Sequence, residues 1–250
     1  MNKNFSDNSR FKGLRIAITG ANGSLGKFLI KEFKKKGAYV VGLTHTKNSN
    51  DKSYEVAPDD WLVWSCGEEK LLSNRLANID ILILNHGFNP KEDIDSNAIS
   101  KAIEINSLSH WKLIQIFEEL TLNKINLKNN HPKEIWVNTS EAEIQPALSP
   151  TYEISKRLIG QLVSLKMKEL NIKNNSSLIV KKLVLGPFKS ELNPIGIMNA
   201  DLVAKKILNL GNSKKNLIIV SPNPLTYFLM PLIEFFRLIY FKITENLNKF

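Results

Sequence analysis

The chain has 250 residues, of which 43% are hydrophobic and 23% charged, and its formal net charge is +10. This balance is typical of a globular protein and excludes a disordered chain, a collagen and a coiled coil. The single cysteine, Cys66, excludes an internal disulfide and a cysteine-cluster metal site, and we expect no metal. Residues 1–10 are polar, so we predict no secretory signal and a reducing, cytoplasmic location.

The positive charge raises nucleic acid and anionic membrane surfaces as partners. The lysines are scattered along the chain, however, and no aromatic residues are interleaved with them as a base-stacking surface would require. We therefore predict a solvated basic surface and no nucleic-acid partner.

Short apolar runs alternate with helical patterns along most of the chain. The runs predict strands at residues 14–19, 39–43, 62–64, 79–84, 134–139, 178–185 and 217–220. Helical spacing of apolar residues predicts helices at residues 24–36, 68–76, 96–122, 150–170 and 200–210. Each crossover in such an alternation lays a helix on the sheet, which predicts a doubly wound α/β fold with a parallel sheet of about seven strands. We expect a flexible segment at residues 1–13, one domain at residues 14–222 and a C-terminal apolar helical segment at residues 223–250.

A glycine-rich turn, TGANGSLG, lies between the first predicted strand and the first predicted helix. Glycines in such a turn let the backbone bend tightly and let a pyrophosphate approach, and the helix that follows offers free N–H groups to the phosphates. The turn could also be merely a tight connection, but its place after the first strand favours a dinucleotide site. The residues predicted to form it are Gly20, Asn22, Gly23, Ser24, Leu25 and Gly26.

The end of the second strand indicates which dinucleotide is bound. An acidic side chain there would hold the ribose hydroxyls of NAD, whereas a basic or small polar one admits the 2′-phosphate of NADP. The chain has no carboxylate there before Asp51. We therefore predict NADP(H) over NAD(H), with Thr44, Thr46 and Lys47 near the phosphate. The alternative is that Lys47 is an ordinary loop lysine.

Tyr152 and Lys156 open the long helix after the fifth strand and are four residues apart, on one helical face. A nearby ammonium favours the phenolate, as would the positive nicotinamide of an oxidised cofactor. This pair suits a general acid and base that handles the proton of a carbonyl or alcohol during hydride transfer. Any amphipathic helix can also carry the two residues at this spacing without such a role.

The motifs follow a set order along the chain: the glycine turn, Asn85-His86-Gly87 after the fourth strand, Ser140 closing the fifth, the Tyr152 and Lys156 pair, and Gly186-Pro187 after the sixth. In this order, over roughly residues 14–220, the chain resembles the short-chain dehydrogenase/reductase family.

The resemblance implies that Tyr152 is the proton donor or acceptor, that Lys156 lowers its pKa and holds the nicotinamide ribose, and that Ser140 bonds the substrate oxygen. Ser140 is close to Tyr152 in sequence for this family, so Thr139 is the alternative hydroxyl. Asn106 stands where the family places an Asn that supports a proton-relay water, although a helical Asn can also simply face solvent.

The resemblance also implies cofactor contacts at Cys66, Asn85, His86, Gly87, Gly186, Pro187 and Ser190. His86 departs from the family, whose short members usually carry Ala there, and Cys66 stands where an Asp usually contacts the adenine. We interpret Cys66 as a buried apolar side chain rather than a reactive thiol. The glycine spacing around Ser24 is similar to extended or atypical branches, whereas the length and the YxxSK motif suit the short branch.

Residues 225–243, LTYFLMPLIEFFRLIYFKI, are apolar and aromatic. Pro231, Glu234 and Arg237 interrupt the run and argue against a spanning helix. Three alternatives remain for this segment: packing on the domain or on a second subunit, lying in a membrane interface, or lining the substrate pocket. The positive charge of the chain would favour anionic lipid, and we hypothesise a peripheral membrane contact.

Together these features predict an NADP(H)-dependent oxidoreductase that interconverts a carbonyl and an alcohol on a small or lipid-like substrate. The resemblance also implies a homo-oligomer, formed through the helices that carry Asn106 and Tyr152. Two alternatives remain: a non-catalytic NAD(P)-binding scaffold or redox sensor, and a membrane-associated lipid-modifying partner protein.

Overall fold

The computed structural model describes residues 9–45, 55–122, 131–172 and 177–247. Within these ranges lie the strands β1 (Arg15–Thr19), β2 (Tyr39–Thr44), β3 (Asp60–Val63), β4 (Ile81–Leu84), β5 (Lys133–Ser140), β6 (Leu178–Leu185) and β7 (Leu217–Val220). The α-helices are α1 (Ser24–Lys35), α2 (Ser73–Leu76), α3 (Ser96–Ile103), α4 (Ser109–Leu122), α5 (Pro150–Ile172), α6 (Ala200–Gly211) and α7 (Pro224–Leu247). The strands form one sheet in the order β3-β2-β1-β4-β5-β6-β7, and every pair is parallel. The predicted doubly wound α/β fold is confirmed.

Both faces of the sheet are covered, which explains why the central strands read as continuous apolar runs rather than alternating ones. Successive residues of β1 point to opposite faces. Ile16 packs into the core that α1 and α6 cover, with Phe33 and Trp136. Ala17 packs into the core that α4 and α5 cover, with Phe117.

The chain changes direction beside β1. It first runs outward from β1 to β2 and β3, and then returns to place β4 on the other side of β1. The helices that follow β1 and β4 therefore lie on opposite faces, and the carboxyl ends of the two strands flank a crevice. Ligands of doubly wound sheets bind in such a crevice.

The long helix predicted at residues 96–122 is divided in the structure. A π-helical turn, Glu104–Leu108, separates α3 from α4. The side chain of Asn106 lies in this turn and bonds the backbone of the neighbouring loop, which favours a local widening of the helix. The helix predicted at residues 68–76 is likewise a 3-10 turn, Glu69–Leu72, followed by the short α2.

The folded domain begins before residue 14. The ring of Phe11 is buried against Phe33 and Trp136. The guanidinium of Arg10 forms an ion pair with Glu134 at 2.6 Å and donates to the carbonyl oxygen of Gly211 at 2.6 Å. Residues 9–13 are therefore part of the domain rather than of the flexible segment predicted at residues 1–13.

The predicted C-terminal apolar helix is present as α7 and continues through Pro231. Among the described residues, the stretch Pro224–Thr244 is the one helix with the length and hydropathy of a membrane span, and 11% of its most apolar window is buried in the protein. The helix begins beside the loop after β5, because Gln145 bonds both Asn223 and Thr226.

Candidate active site

A cavity of about 400 Å³ opens at the carboxyl ends of β4, β5 and β6. The loops after these strands and the first turns of α5 form its walls. Exposed apolar side chains give it an apolar mouth, namely Leu148, Ile195 and Ile197. Predicted site residues from distant parts of the sequence come together in it: Asn85, His86, Gly87, Ser140, Tyr152, Lys156, Gly186, Pro187 and Ser190.

Tyr152 and Ser140 face each other in this cavity. Burial raises the pKa of the Tyr152 phenol, and a hydrogen bond from the Ser140 side chain partly offsets that rise. The Ser140 hydroxyl oxygen accepts from the backbone N–H of Ala142 at 3.1 Å, so its proton is available to the phenol oxygen. The alternative hydroxyl, Thr139, instead donates to the carbonyl oxygen of Leu183 within the sheet.

Lys156 is buried below Tyr152, with its ammonium 5.7 Å from the centre of the phenol ring. Burial lowers the pKa of Lys156 to about 8, and the Glu143 carboxylate opposes that shift. The ammonium donates to the backbone carbonyl oxygen of Asn138 at 3.2 Å. The resemblance implies that Lys156 lowers the phenol pKa. In the structure, burial is the largest influence on that pKa and raises it, and the opposing influence comes from Ser140.

The glycine turn has the close contacts that require glycine. Gly20 has a φ of +62°, and a Cβ there would lie 2.8 Å from the Cα of His86. A Cβ at Gly26 would overlap the carbonyl oxygen of Gly20. Helix α1 begins after Gly23 with no side-chain cap and no acidic residue in its first turn, so its N-terminal N–H groups and its positive dipole end point toward this turn.

The end of β2 lies against the glycine turn, where the Asn22 amide donates to the Thr44 hydroxyl at 2.7 Å. Ser24 and Leu25 follow in the first turn of α1, with Leu25 in the core. Two residues predicted near the 2′-phosphate, Thr46 and Lys47, lie outside the described residues.

His86 is half-buried, with its ring packed between Trp64 and His110, and its ring centre lies 4.1 Å from that of His110. Its Nδ1 lies 2.8 Å from the Thr19 hydroxyl. Burial lowers the pKa of His86 to about 3, and the Lys156 ammonium lowers it further. Burial also lowers the pKa of His110. Both rings are therefore neutral near pH 7.

Asn106 is fully buried and does not face solvent. Its side-chain amide accepts from the N–H of Phe88 at 2.7 Å, and donates to the carbonyl oxygen of Phe88 and to the Ser155 hydroxyl, both at 2.8 Å. Because these bonds join Phe88 of the loop after β4 to Ser155 of α5 through one side chain, the amide fixes that loop against α5. Asn106 thus positions the wall of the cavity without lining it.

Ser190 lines the cavity, whereas Cys66 is not among its lining residues. Cys66 is half-buried against the Ser109 hydroxyl of α4, and burial raises its thiol pKa, in agreement with an unreactive side chain. Ser190 lines the cavity in a turn closed by hydrogen bonds with Asn193. Gly186 precedes that loop and packs closely against Ser221.

Sequence reasoning missed Asn138. Its side-chain amide donates to Asn85 at 2.7 Å, Asn85 in turn donates to the carbonyl oxygen of Gly20 at 3.3 Å, and the Asn138 backbone receives Lys156. A hydrogen-bonded chain therefore runs from the glycine turn to the lysine. The signal was available, because Asn138 lies two residues before Ser140 and thus on the same face of β5.

These residues fit a dinucleotide. No side chain caps the N-terminus of α1 behind the glycine turn, so its N–H groups can donate to phosphate oxygens, and the side-chain oxygen of Asn138 is buried with no hydrogen-bond partner among the described residues. The hydrogen bonds of the described residues use one of the three donors of Lys156, which leaves two for ribose hydroxyls. Within the same residues, no cluster of His, Cys, Asp and Glu could hold a metal ion.

The chain is similar in sequence to a monoglucosyldiacylglycerol epimerase of Synechocystis sp., with 40% identity over 236 residues. The alignment covers 92% of this chain and 55% of that protein, so the chain spans about half the length of this relative. No protein-family model matches the chain.

Two solved structures share the fold at low sequence identity. A short chain dehydrogenase from Burkholderia cenocepacia in complex with NADP has a TM-score of 0.74 and 15% identity, covering 89% of this chain and 93% of that one. The aldohexose dehydrogenase of Thermoplasma acidophilum, in ligand-free form, has a TM-score of 0.66 and 12% identity, covering 84% and 93% respectively.

Proposed function

The chain has the fold of the short-chain dehydrogenase/reductase family, as its motifs predict, and from that premise we propose that it is an NAD(P)-dependent oxidoreductase. Its substrate carries a secondary alcohol on a lipid-linked sugar. One observation carries the proposal: Ser140, Tyr152 and Lys156 share a cavity whose inner end is polar and whose mouth is apolar. Such a cavity suits a polar head group attached to a hydrocarbon tail.

The proton chemistry follows from the positions of these three residues. The Ser140 hydroxyl holds the substrate oxygen, and Tyr152 takes the alcohol proton or returns it. Burial raises the phenol pKa, and two positive charges would act against it: the Lys156 ammonium, held in place by the Asn138 carbonyl, and the nicotinamide of an oxidised cofactor. Bound NAD(P) would supply the hydride acceptor and donor.

We propose further that the reaction is an epimerisation, because the relative with 40% identity is named as an epimerase of a glucosyl lipid. The substrate would lose a hydride from carbon to bound NAD(P)⁺ and a proton from oxygen to the Tyr152 phenolate, which leaves a ketone. After the ketone presents its other face, the hydride would return from the reduced cofactor to carbon and Tyr152 would return the proton to oxygen. The product is the inverted alcohol, and no cofactor is consumed.

NADP(H) remains our proposed cofactor in preference to NAD(H). The support is that β2 ends in Thr44, whose hydroxyl bonds Asn22 of the glycine turn, rather than in a carboxylate. Fluorescence titration with NADPH and NADH tests this preference. Tighter binding of NADH would contradict it.

The proposed reaction is tested by incubating the protein with monoglucosyldiacylglycerol and a catalytic amount of NADP⁺ in mixed micelles. We expect a new hexose after hydrolysis of the lipid, with deuterium retained when the reacting carbon is deuterated. Stoichiometric formation of NADPH without a new hexose would replace the epimerase with a simple dehydrogenase. Cofactor binding with no oxidation or reduction of this lipid or of a panel of ketones and sugars would favour the non-catalytic scaffold.

A further inference from the structure

Helix α7 carries a wide apolar face that nothing in the described chain covers. The exposed side chains on this helix are Leu225, Tyr227, Phe228, Leu232, Phe235, Phe236, Leu238, Ile239, Tyr240 and Ile243. Contiguous apolar surface on this scale marks an interaction site rather than ordinary surface.

The polar stripe of the same helix is already satisfied inside the protein. The Glu234 carboxylate accepts from the Lys182 ammonium at 2.8 Å, and Arg237 bonds Glu143 at 3.1 Å. Lys182 and Glu143 have fully buried side chains and form an ion pair with each other at 2.7 Å. We call these four residues the α7 clamp. The clamp fixes which side of α7 faces the domain, so the apolar side faces outward.

The clamp also argues against α7 leaving the domain to span a bilayer. Withdrawal of the helix would remove Glu234 and Arg237 from Lys182 and Glu143, and would carry two charges into hydrocarbon. A helix that keeps its charges on the protein and its aromatic residues outward is instead suited to lie along a surface.

The apolar face continues toward the mouth of the cavity. The first turn of α7 bonds Gln145 through Thr226 and Asn223, and the segment that follows Gln145 lines the cavity and ends in the exposed Leu148. Ile195 and Ile197 add apolar side chains to the same mouth. The start of the exposed helix therefore adjoins the entrance to the cavity.

Basic residues accompany this face. Lys242 is exposed on α7, and the Lys168 ammonium lies 5.6 Å from the centre of the Phe241 ring. The chain as a whole carries a formal charge of +10. An apolar aromatic face with lysines beside it is complementary to a bilayer that contains anionic lipid.

We propose that α7 docks flat on an anionic lipid bilayer, with Phe228, Phe235 and Phe236 inserted among the acyl chains and the cavity mouth held at the membrane surface. This inference goes beyond the proposed function because it concerns a surface and not a reaction. The docking is measured by vesicle binding alone. If the native chain binds vesicles but turns over no substrate, the proposed function is contradicted and the docking proposal stands.

The test is flotation of the full chain with vesicles of phosphatidylcholine and phosphatidylglycerol, and with vesicles of phosphatidylcholine alone. We expect the protein to float with the mixed vesicles and less with the neutral ones. The variant Phe228→Gln/Phe235→Gln should lower partitioning by at least about tenfold. The matched control Leu71→Gln/Leu202→Gln changes two exposed apolar residues outside α7 and should partition as the native chain does.

Circular dichroism of each variant verifies the fold before flotation. Unchanged flotation of the α7 variant would overturn the proposal. The proposal would also be overturned if the native chain floated with neither kind of vesicle. Light scattering on the same samples addresses a second copy of the chain as the occupant. A dimer that the α7 variant dissociates, with no vesicle binding by the native chain, would also overturn the proposal.

Discussion

The side-chain ammonium of Lys156 on α5 donates to the backbone carbonyl oxygen of Asn138 in the middle of the site, 3.2 Å away. This bond fixes the height of the lysine relative to the end of β5, where Ser140 is located. Helix and strand are thereby held in the relative position that brings Tyr152 to Ser140. The relative positions of Ser140, Tyr152 and Lys156 therefore depend on how α5 packs against β5, and not on the spacing of Tyr152 and Lys156 along the helix alone.

Replacement of Tyr152 by Phe should abolish turnover while leaving the cofactor bound. The phenol oxygen is the group that exchanges a proton, and its removal should lower the rate by at least about a hundredfold. NADPH fluorescence titration and a turnover assay on the same preparation measure the two effects. The control is Tyr240→Phe, which alters an exposed phenol on α7. Substantial turnover by pure Tyr152→Phe would remove this residue from the mechanism.

The buried ammonium of Lys156 should give the folded chain a distinctive alkaline stability profile. Because burial lowers its pKa to about 8, the unfolded chain binds more protons than the folded chain between about pH 8 and its unperturbed value of about 10.4. Stability should therefore rise with pH across this window, by about 2 kcal/mol between about pH 8 and 10 relative to Lys156→Met. Urea unfolding of both proteins at several pH values measures the difference. Parallel profiles would contradict a lowered pKa.

The α7 clamp should be costly to break from one side. Lys182→Met leaves the fully buried Glu143 without its closest cation and should reduce the free energy of unfolding by about 3 kcal/mol. The matched control is Lys205→Met, which removes an exposed pair with Asp201 and should cost below about 1 kcal/mol. Urea denaturation measures both. Equal losses in the two variants would show that burial of the pair contributes nothing.

Gly26→Ala should impair cofactor binding, because its Cβ would overlap the carbonyl oxygen of Gly20 and force α1 away from the turn. We expect affinity for NADPH to fall by at least about tenfold. Gly13→Ala is the control, since its Cβ would meet nothing within 4 Å and its positive φ costs only local strain. Unchanged NADPH affinity in Gly26→Ala would place the dinucleotide elsewhere.

Much of this architecture is local and was predictable from the sequence. The spacing of apolar residues and the turn residues between them located the seven strands of the described sheet. The glycine turn was recognisable because a position where another backbone approaches closely requires glycine. The ends of the elements were less exact, as for β3, which covers Asp60–Val63 rather than residues 62–64.

Contacts between distant parts of the chain were not predictable in the same way. Lys182 lies inside a largely apolar strand, and nothing in its neighbourhood in the sequence indicates that Glu143 and, more than fifty residues later, Glu234 of α7 supply its two carboxylate partners. Phe11 precedes the first strand and its ring packs against a tryptophan of β5. Such pairings depend on the folded topology, which a periodic pattern does not encode.

The half-buried Cys66 thiol also has a practical consequence for spectroscopy. It is the only native sulfhydryl, and its raised pKa makes it slow to react with maleimides near neutral pH. A cysteine introduced at position 228 would carry a fluorophore almost alone, without prior removal of a native thiol. The chain is thus ready for depth-quenching and distance measurements on the helix whose orientation matters most.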